Sequence, residues 1–436
     1  MALPAGGVIE IRASATAGNV NGGGFNSARG GTDYTLQDAA QLTNTDGSAV
    51  GTTTFTSLGS TFTSVMVGNY LHITASTGLT AGWYEIVTFT DANNVVLDRT
   101  PGTGTAATFY VGGAMSLNST LDDELFEIGV AGNIFYVSNA AGALTLGEAV
   151  SVTAAGGASN PIKIIGYNST RGDNPTGSTR PTITGASGAS FNLGTNWDIS
   201  HCSVVVSGAN GLILGTSGKV TYCKALNNST TANRLGILPG GNSLIAFCEA
   251  ISYRGPAIGG GSVNYSLLGC YLHDSNVGIG HSGVNHRVDI NDCIISDNVT
   301  AAIQFTGANT FRVSINNTTL YGAENKLGIC LSLATGVTNT SILNSILYGF
   351  VTGVDHADTQ SVGYDDYNDY FNNTADVSAA GEWQKGSNDQ AVDPTFTSMA
   401  QLTGTTATTS GSVLTQSGGD FSTVTDGVDI LYLVSG

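Results

Sequence analysis

The sequence predicts an all-β protein built mainly as a stacked solenoid, and three observations carry that expectation. Five cysteines, Cys202, Cys223, Cys248, Cys270 and Cys293, recur at gaps of 21, 25, 22 and 23 residues. Two apolar columns travel with them. Ile199, Val220, Ile245, Leu267 and Ile290 stand three residues before the cysteines, and Val204, Ala225, Ala250, Leu272 and Ile295 stand two after. The chain is also rich in glycine (60 of 436 residues), poor in charge (11%) and 41% hydrophobic, so it can build a core with few helix formers. A period of roughly 20–30 residues in such a composition marks rungs that bury their apolar faces against one another.

Taken in order, residues 1–36 hold one strand, Val8-Ile9-Glu10-Ile11-Arg12, and a glycine-rich arm, Asn21-Gly22-Gly23-Gly24-Phe25. The glycines are expected to supply positive φ. No helix follows them, so a phosphate loop is not indicated. Residues 37–113 read as a small β module. Phe62, Val65, Val67, Tyr70, Leu71 and Ile73 suggest a strand pair, and Gly82–Val87 with Asn94–Asp98 suggests a hairpin about Asp91-Ala92-Asn93. Trp83 is expected in the core, with a sugar platform as the sharper alternative.

Residues 114–396 form the solenoid. Ile134–Val137 and Ile162–Tyr167 are its early strands, and a short helix is expected about Leu144–Ala149. Arg171-Gly172-Asp173 lies before Pro175 and reads as a turn rather than as an adhesion motif. The register continues past the last ladder cysteine through Ile315–Leu320 and Ile342–Leu347 to the rung Tyr364–Asn373, and Asp393-Pro394-Thr395-Phe396 closes it. Residues 397–436 read as a Thr/Ser-rich cap and oligomer contact. Its apolar Ile430-Leu431-Tyr432-Leu433-Val434 is expected to pack on the last rung or on a neighbouring subunit.

The ladder cysteines are expected to point inward, since a strand alternates its side chains and each cysteine shares a face with the apolar residue two later. Free cysteine then serves as a small buried hydrophobe. Rungs about 4.8 Å apart do not exclude disulfides by distance, but parallel Cβ vectors disfavour them. The spacing of a zinc site is absent. Cys330 lies off the ladder and reads as another buried position.

A formal charge of −18 and a pI near 4.4 argue against nucleic-acid binding, which needs a basic face. No apolar run is long enough for a membrane helix. Met1–Gly7 has neither the basic nor the apolar region of a signal peptide, so assembly in a host cytoplasm without an export signal is expected.

The ladder, the Tyr-Asn-Asp-Tyr rung at 367–370, and the closing Asp393-Pro394-Thr395-Phe396 and Val428-Asp429-Ile430 resemble right-handed parallel β-helix proteins of the pectate-lyase-like superfamily, over roughly residues 130–430. At the front, Asn21–Phe25, Gly31-Thr32-Asp33-Tyr34, Val67-Gly68-Asn69-Tyr70 and Leu97-Asp98-Arg99 are similar to β-helix proteins of bacteriophages, in which a β module precedes or interrupts the first rungs. The resemblance implies a homotrimer on the virion surface. Its partners would be its own copies, other virion proteins such as the major capsid protein, and a host surface glycan.

An active site of this fold needs paired carboxylates, or a carboxylate-bound Ca²⁺ with a base. Asp274 and Asp297 each follow a ladder cysteine by four residues, so they are expected about one rung apart, a spacing that suits a retaining pair. His273, Glu249 and Arg254 lie on neighbouring turns. Asn227 and Ser252 occupy the same column, which equally suits turns that satisfy backbone groups along a stack. Asp365, Asp366 and Asp369 form the densest acidic cluster and are candidate Ca²⁺ ligands, or else a final-rung turn. No cofactor motif is present. The expectation is a structural, non-enzymatic virion protein, a trimeric capsid decoration. Two alternatives stand beside it: a tailspike that binds or depolymerises host polysaccharide, and a bacterial surface adhesin or polysaccharide lyase.

Overall fold

The computed structural model describes residues 3–394, apart from 16–19, 118–121, 141, 148, 186–189, 208–209, 262, 283–285, 307–310, 323–327, 334–338, 357–361 and 380–381, together with 407–410 and 413–416. Three sheets of 13, 10 and 10 strands form a parallel β-helix, and a closed six-stranded barrel is set into its N-terminal end.

The two apolar columns of the sequence are the inward columns of the first two sheets. In the first sheet Ile164, Ile199, Val220, Ile245, Leu267, Ile290, Ile315 and Ile342 are successive register partners. In the second, Ile183, Val204, Ala225, Ala250, Leu272, Ile295, Leu320 and Leu347 follow one another. All are buried in one core that runs from Leu3 to Tyr370. Each buried Ile or Leu contributes roughly 1.5–3 kcal/mol, so the stack replaces the charge network that the composition lacks.

Between these sheets the chain turns through one left-handed residue per rung. His201, Tyr222, Phe247, Gly269, Asp292, Asn317, Asn344 and Tyr367 all have φ between 48° and 60°. The residue after each is the ladder position. Except at Asn368, whose amide donates to the Ile342 carbonyl (3.0 Å), its side chain folds back on the carbonyl two residues earlier, as Cys202 does on Ser200 (3.3 Å), Cys293 on Asn291 (3.2 Å), Thr318 on Asn316 (2.9 Å) and Ser345 on Leu343 (2.9 Å). All six cysteines are buried thiols with no disulfide, and burial pushes the Cys223 thiol up to about 11.

The strand Val8–Ile11 belongs to the solenoid, because it pairs in parallel with Ile134–Ser138. The barrel is therefore inserted after the first strand of the solenoid. Its strands are Leu42–Val50, Thr54–Thr56, Tyr70–Leu79, Gly82–Asp91, Asn94–Leu97 and Gly102–Val111, around a core of its own that includes Phe55, Tyr84 and Phe109. The expected hairpin about Asp91-Ala92-Asn93 is present, but Ser64–Met66 is a 3₁₀ turn rather than strand.

Two other expectations change. Leu144–Leu146 is a strand of the second sheet, and the helix of this region is Asp122–Glu127. Its Phe126 closes the end of the core against Phe135 (5.2 Å), Phe191 (5.4 Å) and Trp197 (6.2 Å between ring centroids). In the glycine-rich arm only Gly23 has positive φ, and Gly24 instead makes room for Tyr70, whose ring would meet an added Cβ at 2.0 Å. Tyr70 reaches across to Pro4, its hydroxyl donating to the carbonyl at 3.1 Å.

The junction of arm, barrel and solenoid is held by charge. Glu10 is fully buried and receives Arg171 through Nε (2.9 Å) and an η nitrogen (2.8 Å), and Arg12 through Nε (3.0 Å). Arg171 also reaches Asp33 (2.7 Å) and Thr35 (2.7 Å). The Arg171-Gly172-Asp173 turn thus directs its arginine inward, while Asp173 caps the loop by accepting from the N–H groups of Asn168, Ser169 and Thr170.

At the far end the inward column closes on a carboxylate. Asp365 is the register partner of Ile342 and is fully buried. It accepts from Tyr370, from Trp383 (3.1 Å) and from the N–H of Gly386 (3.0 Å). The closing Thr395-Phe396, the Val428-Asp429-Ile430 element and the apolar Ile430–Val434 lie outside the described residues. The backbone of Ala407–Ser410 pairs antiparallel with Val413–Gln416.

Candidate functional site

The outer face of the second sheet has two side-chain columns, and both are set by strand alternation. One runs Lys224, Glu249, Tyr271, Ile294 and Thr319, register partners on successive strands. The other contains Val205, Leu226 and Ile251, then His273, then Ser296, Tyr321, Tyr348 and Phe371. A mostly apolar column is thus interrupted by His273 just where the neighbouring column carries charge.

There a chain of alternating charges crosses three rungs. Lys224 Nζ lies 2.9 Å from Glu249 Oε1, His273 Nε2 lies 3.2 Å from the same oxygen, and His273 Nδ1 lies 2.7 Å from Asp274 Oδ2. The imidazole stacks on the Tyr271 ring with centroids 4.0 Å apart, and Ser296 Oγ donates to the Tyr271 hydroxyl at 3.4 Å. Burial opposes charge on both central groups, but their partners override it. Hydrogen bonds from His273 and Lys224 bring the Glu249 carboxyl down to about 2, and those to Glu249 and Asp274 raise the His273 imidazole above its ordinary value. Burial, with Asp297, Asp274 and Glu249 nearby, raises the Tyr271 phenol. Side-chain exposure is 9% for His273, 24% for Glu249 and 61% for Asp274, so the histidine is a buried brace and the carboxylates face outward.

Of the residues singled out in the sequence, Asp274 belongs to this cluster and Asp297 stands on the following rung. Both occupy left-handed turn positions, with φ of 50° and 54°. Asp274 spends one oxygen on His273. The backbone-satisfying role of this turn falls to the next residues, since Ser252 N–H donates to Ser275 Oγ (2.9 Å) and Ser275 N–H to Asn298 Oδ1 (3.2 Å). Lys224 and Tyr271 were not anticipated. Their signal was the constant offset of one residue after the ladder cysteine, which puts them in Glu249's column.

The acidic cluster near the C-terminal end is committed to protein donors. Besides the contacts of Asp365, Asp366 accepts from Asn388 through backbone and side chain (both 3.1 Å) and from the Tyr364 hydroxyl (3.1 Å), and Asp369 accepts from Val392 N–H (3.0 Å). Among the described residues no group of three or more His, Cys, Asp or Glu side chains could hold a metal ion.

No family model matches the chain, and no curated protein does. Among solved structures, a mutant of the periplasmic alginate epimerase AlgG aligns at 10% identity and a TM-score of 0.36, over 61% of this chain and 76% of that one. An alginate lyase from Paenibacillus sp. str. FPU-7 aligns at 11% identity and 0.37, over 60% and 93%. The tailspike protein gp49 from Pseudomonas phage LKA1 aligns at 11% identity and 0.31, over 79% and 65%. Likeness at this level carries no argument about activity, and the parallel β-helix rests on this chain's own strand register.

Proposed function

We propose that this protein binds an extended polysaccharide across the outer face of its second sheet, with the Lys224–Glu249–His273–Asp274 chain as the polar centre of the site. The observation that carries the reading is the buried His273 brace, which interrupts a mostly apolar column and holds two outward carboxylates beside it. Holding a largely buried imidazole between two carboxylates is costly, and groups with perturbed proton affinity concentrate at working sites. Carboxylates accept strongly from sugar hydroxyls, and Tyr271, Ile294 and Tyr321 supply apolar surface alongside them. The setting we attach to this reading is a virion-surface protein of the tailspike kind, acting as a homotrimer. A capsid decoration has no need of a braced charge cluster, and that expectation draws no support from the site.

A second reading is cleavage of the bound polysaccharide. It is favoured by the exposure of Asp274, with Asp297 one rung on and therefore about 5 Å along the stack.

The test is an array of purified bacterial polysaccharides probed with the parent chain and with Glu249→Gln and Asp274→Asn. Binding that falls in both variants supports the site, and unchanged binding excludes it. Release of reducing ends by the parent but not by Asp274→Asn would establish cleavage. Sedimentation velocity of the same samples reads the trimer.

A further inference from the structure

The outer face of the first sheet carries a separate polar feature, one that shares no residue with the His273 cluster. Arg287 and Arg312 are direct register partners on the parallel strands His286–Asn291 and Phe311–Asn316, about 4.8 Å apart across the sheet. Each lines its own shallow cavity. One, of about 380 Å³, sets Arg287 beside Asn264, Ser266 and Asp289. The other, of about 400 Å³, sets Arg312 beside Asn339, Ser341 and Tyr364.

Nothing in the folding of the strands asks for arginine here. Continuing the register one residue beyond Tyr265↔Val288 and Val313↔Thr340 puts Asn264 and Asn339 in the same column, so neutral residues serve on the flanking rungs. Two stacked guanidinium groups repel one another, and the chain has only 14 Lys and Arg against 32 Asp and Glu. Asp289 holds Arg287 through Nε alone, at 2.9 and 3.2 Å, and leaves that side chain 55% exposed. Arg312 is exposed. Each arginine shares its cavity's lining with amides and hydroxyls.

We propose that Arg287 and Arg312 form paired subsites for the carboxylate groups of an acidic saccharide. A guanidinium presents two parallel N–H donors that match a carboxylate, which an ammonium cannot do. The surrounding Asn, Ser and Tyr groups are the donors and acceptors that sugar hydroxyls require. Strand spacing sets the separation of the two charges, so the site selects a ligand that carries acidic groups at successive positions. The proposal goes beyond the polysaccharide reading of the second sheet and stands or falls separately from it.

The experiment follows the arginine Nε–H signals of the intact ¹⁵N-labelled chain by NMR during titration with sodium D-glucuronate, D-glucose or sodium acetate. Glucuronate should shift the Arg287 and Arg312 signals saturably, while glucose leaves them in place and acetate binds more weakly. With a diuronate, which can fill both subsites at once, Arg312→Gln should weaken binding by roughly tenfold or more as read at the Arg287 signal. Arg312→Lys should restore only part of it, since charge returns without the fork. Unchanged melting of both variants shows that folding is intact. Equal shifts with glucose, equal affinity for acetate, or no saturable shift with glucuronate would each overturn the proposal. None of these outcomes bears on the Asp274→Asn result.

Discussion

The backbone N–H of Cys270 donates to the sulfur of Cys293, one rung on, at 3.4 Å. The same bond then runs down the stack with oxygen in place of sulfur. Cys293 N–H reaches Thr318 Oγ1 (3.5 Å), Thr318 N–H reaches Ser345 Oγ (3.2 Å), Ser345 N–H reaches Asn368 Oδ1 (2.9 Å) and Asn368 N–H reaches Asp389 Oδ1 (2.9 Å). The ladder position is therefore a buried acceptor for the preceding corner as well as a small apolar filler.

This distinction is testable at Cys293. Cys293→Ser keeps an acceptor and the geometry already used by Ser345, so its stability in urea should stay within about 1 kcal/mol of the parent. Cys293→Val has a similar volume but leaves the Cys270 N–H orphaned, and should cost about 1–3 kcal/mol. A Val variant as stable as the Ser variant would remove the hydrogen-bonding role.

Arg171→Ala should be among the most damaging changes at the junction. It strips the two-pronged partner from a buried carboxylate, Glu10, and leaves only Arg12 and the Tyr167 hydroxyl to hold it. The expected loss is on the order of 3 kcal/mol by denaturant unfolding, with Arg171→Lys intermediate because it cannot supply the fork. Equal stability of Lys and parent chains would contradict this account of the junction.

The His273 brace predicts a pH dependence on both sides of neutrality. His273 binds its proton more tightly when folded, so its contribution is complete below its ordinary value of 6.5 and is lost as pH rises through its raised folded value. Glu249 falls from 4.5 to about 2 on folding, so its contribution is complete above 4.5 and is lost as pH drops toward 2. Thermal melts across pH 2–9 should show both slopes, and His273→Gln should flatten the alkaline one. An unchanged alkaline slope in that variant would place its origin elsewhere.

Asp365→Ala should loosen the end of the solenoid without unfolding its middle. It unties Trp383, Tyr370 and Gly386 together. Hydrogen exchange should quicken over 382–390 and stay slow in strands such as Ser243–Ala246. Exchange that quickens evenly along the chain would instead make Asp365 a global stabiliser.

The rungs were legible in the sequence because Ile245, Cys248 and Ala250 repeat their spacing almost unchanged in Leu267, Cys270 and Leu272. The corner conformation was not, because Tyr222 and Phe247 have no preference for positive φ and adopt it only where stacked neighbours hold them. Their rings lie 5.0 Å apart and 12° from parallel. The helix was misplaced because Leu144-Thr145-Leu146 alternates with a period of two, which a six-residue window cannot tell from one helical turn, while Leu125-Phe126 is too short a signal to stand out. The acidic neighbours of Asp365 suggest a Ca²⁺ ligand or a final-rung turn, whereas the Ile315, Ile342 column already points inward at that register. At the candidate site Asp274 and His273 could be named, but the link through Glu249 to Lys224 needed two strands in register.

The pairing of Val8 with Ile134 has a consequence for synthesis. These partners are 134 − 8 = 126 residues apart, so at about 5–20 residues per second Val8–Ile11 waits roughly 6–25 s for its parallel partner to leave the ribosome. The barrel segment emerges within that interval, with all its strand partners between Leu42 and Val111. Translation thus delivers the barrel segment before the ladder, and Val8–Ile11, paired early only with Gly24–Phe25, meets its solenoid neighbour after the barrel has emerged.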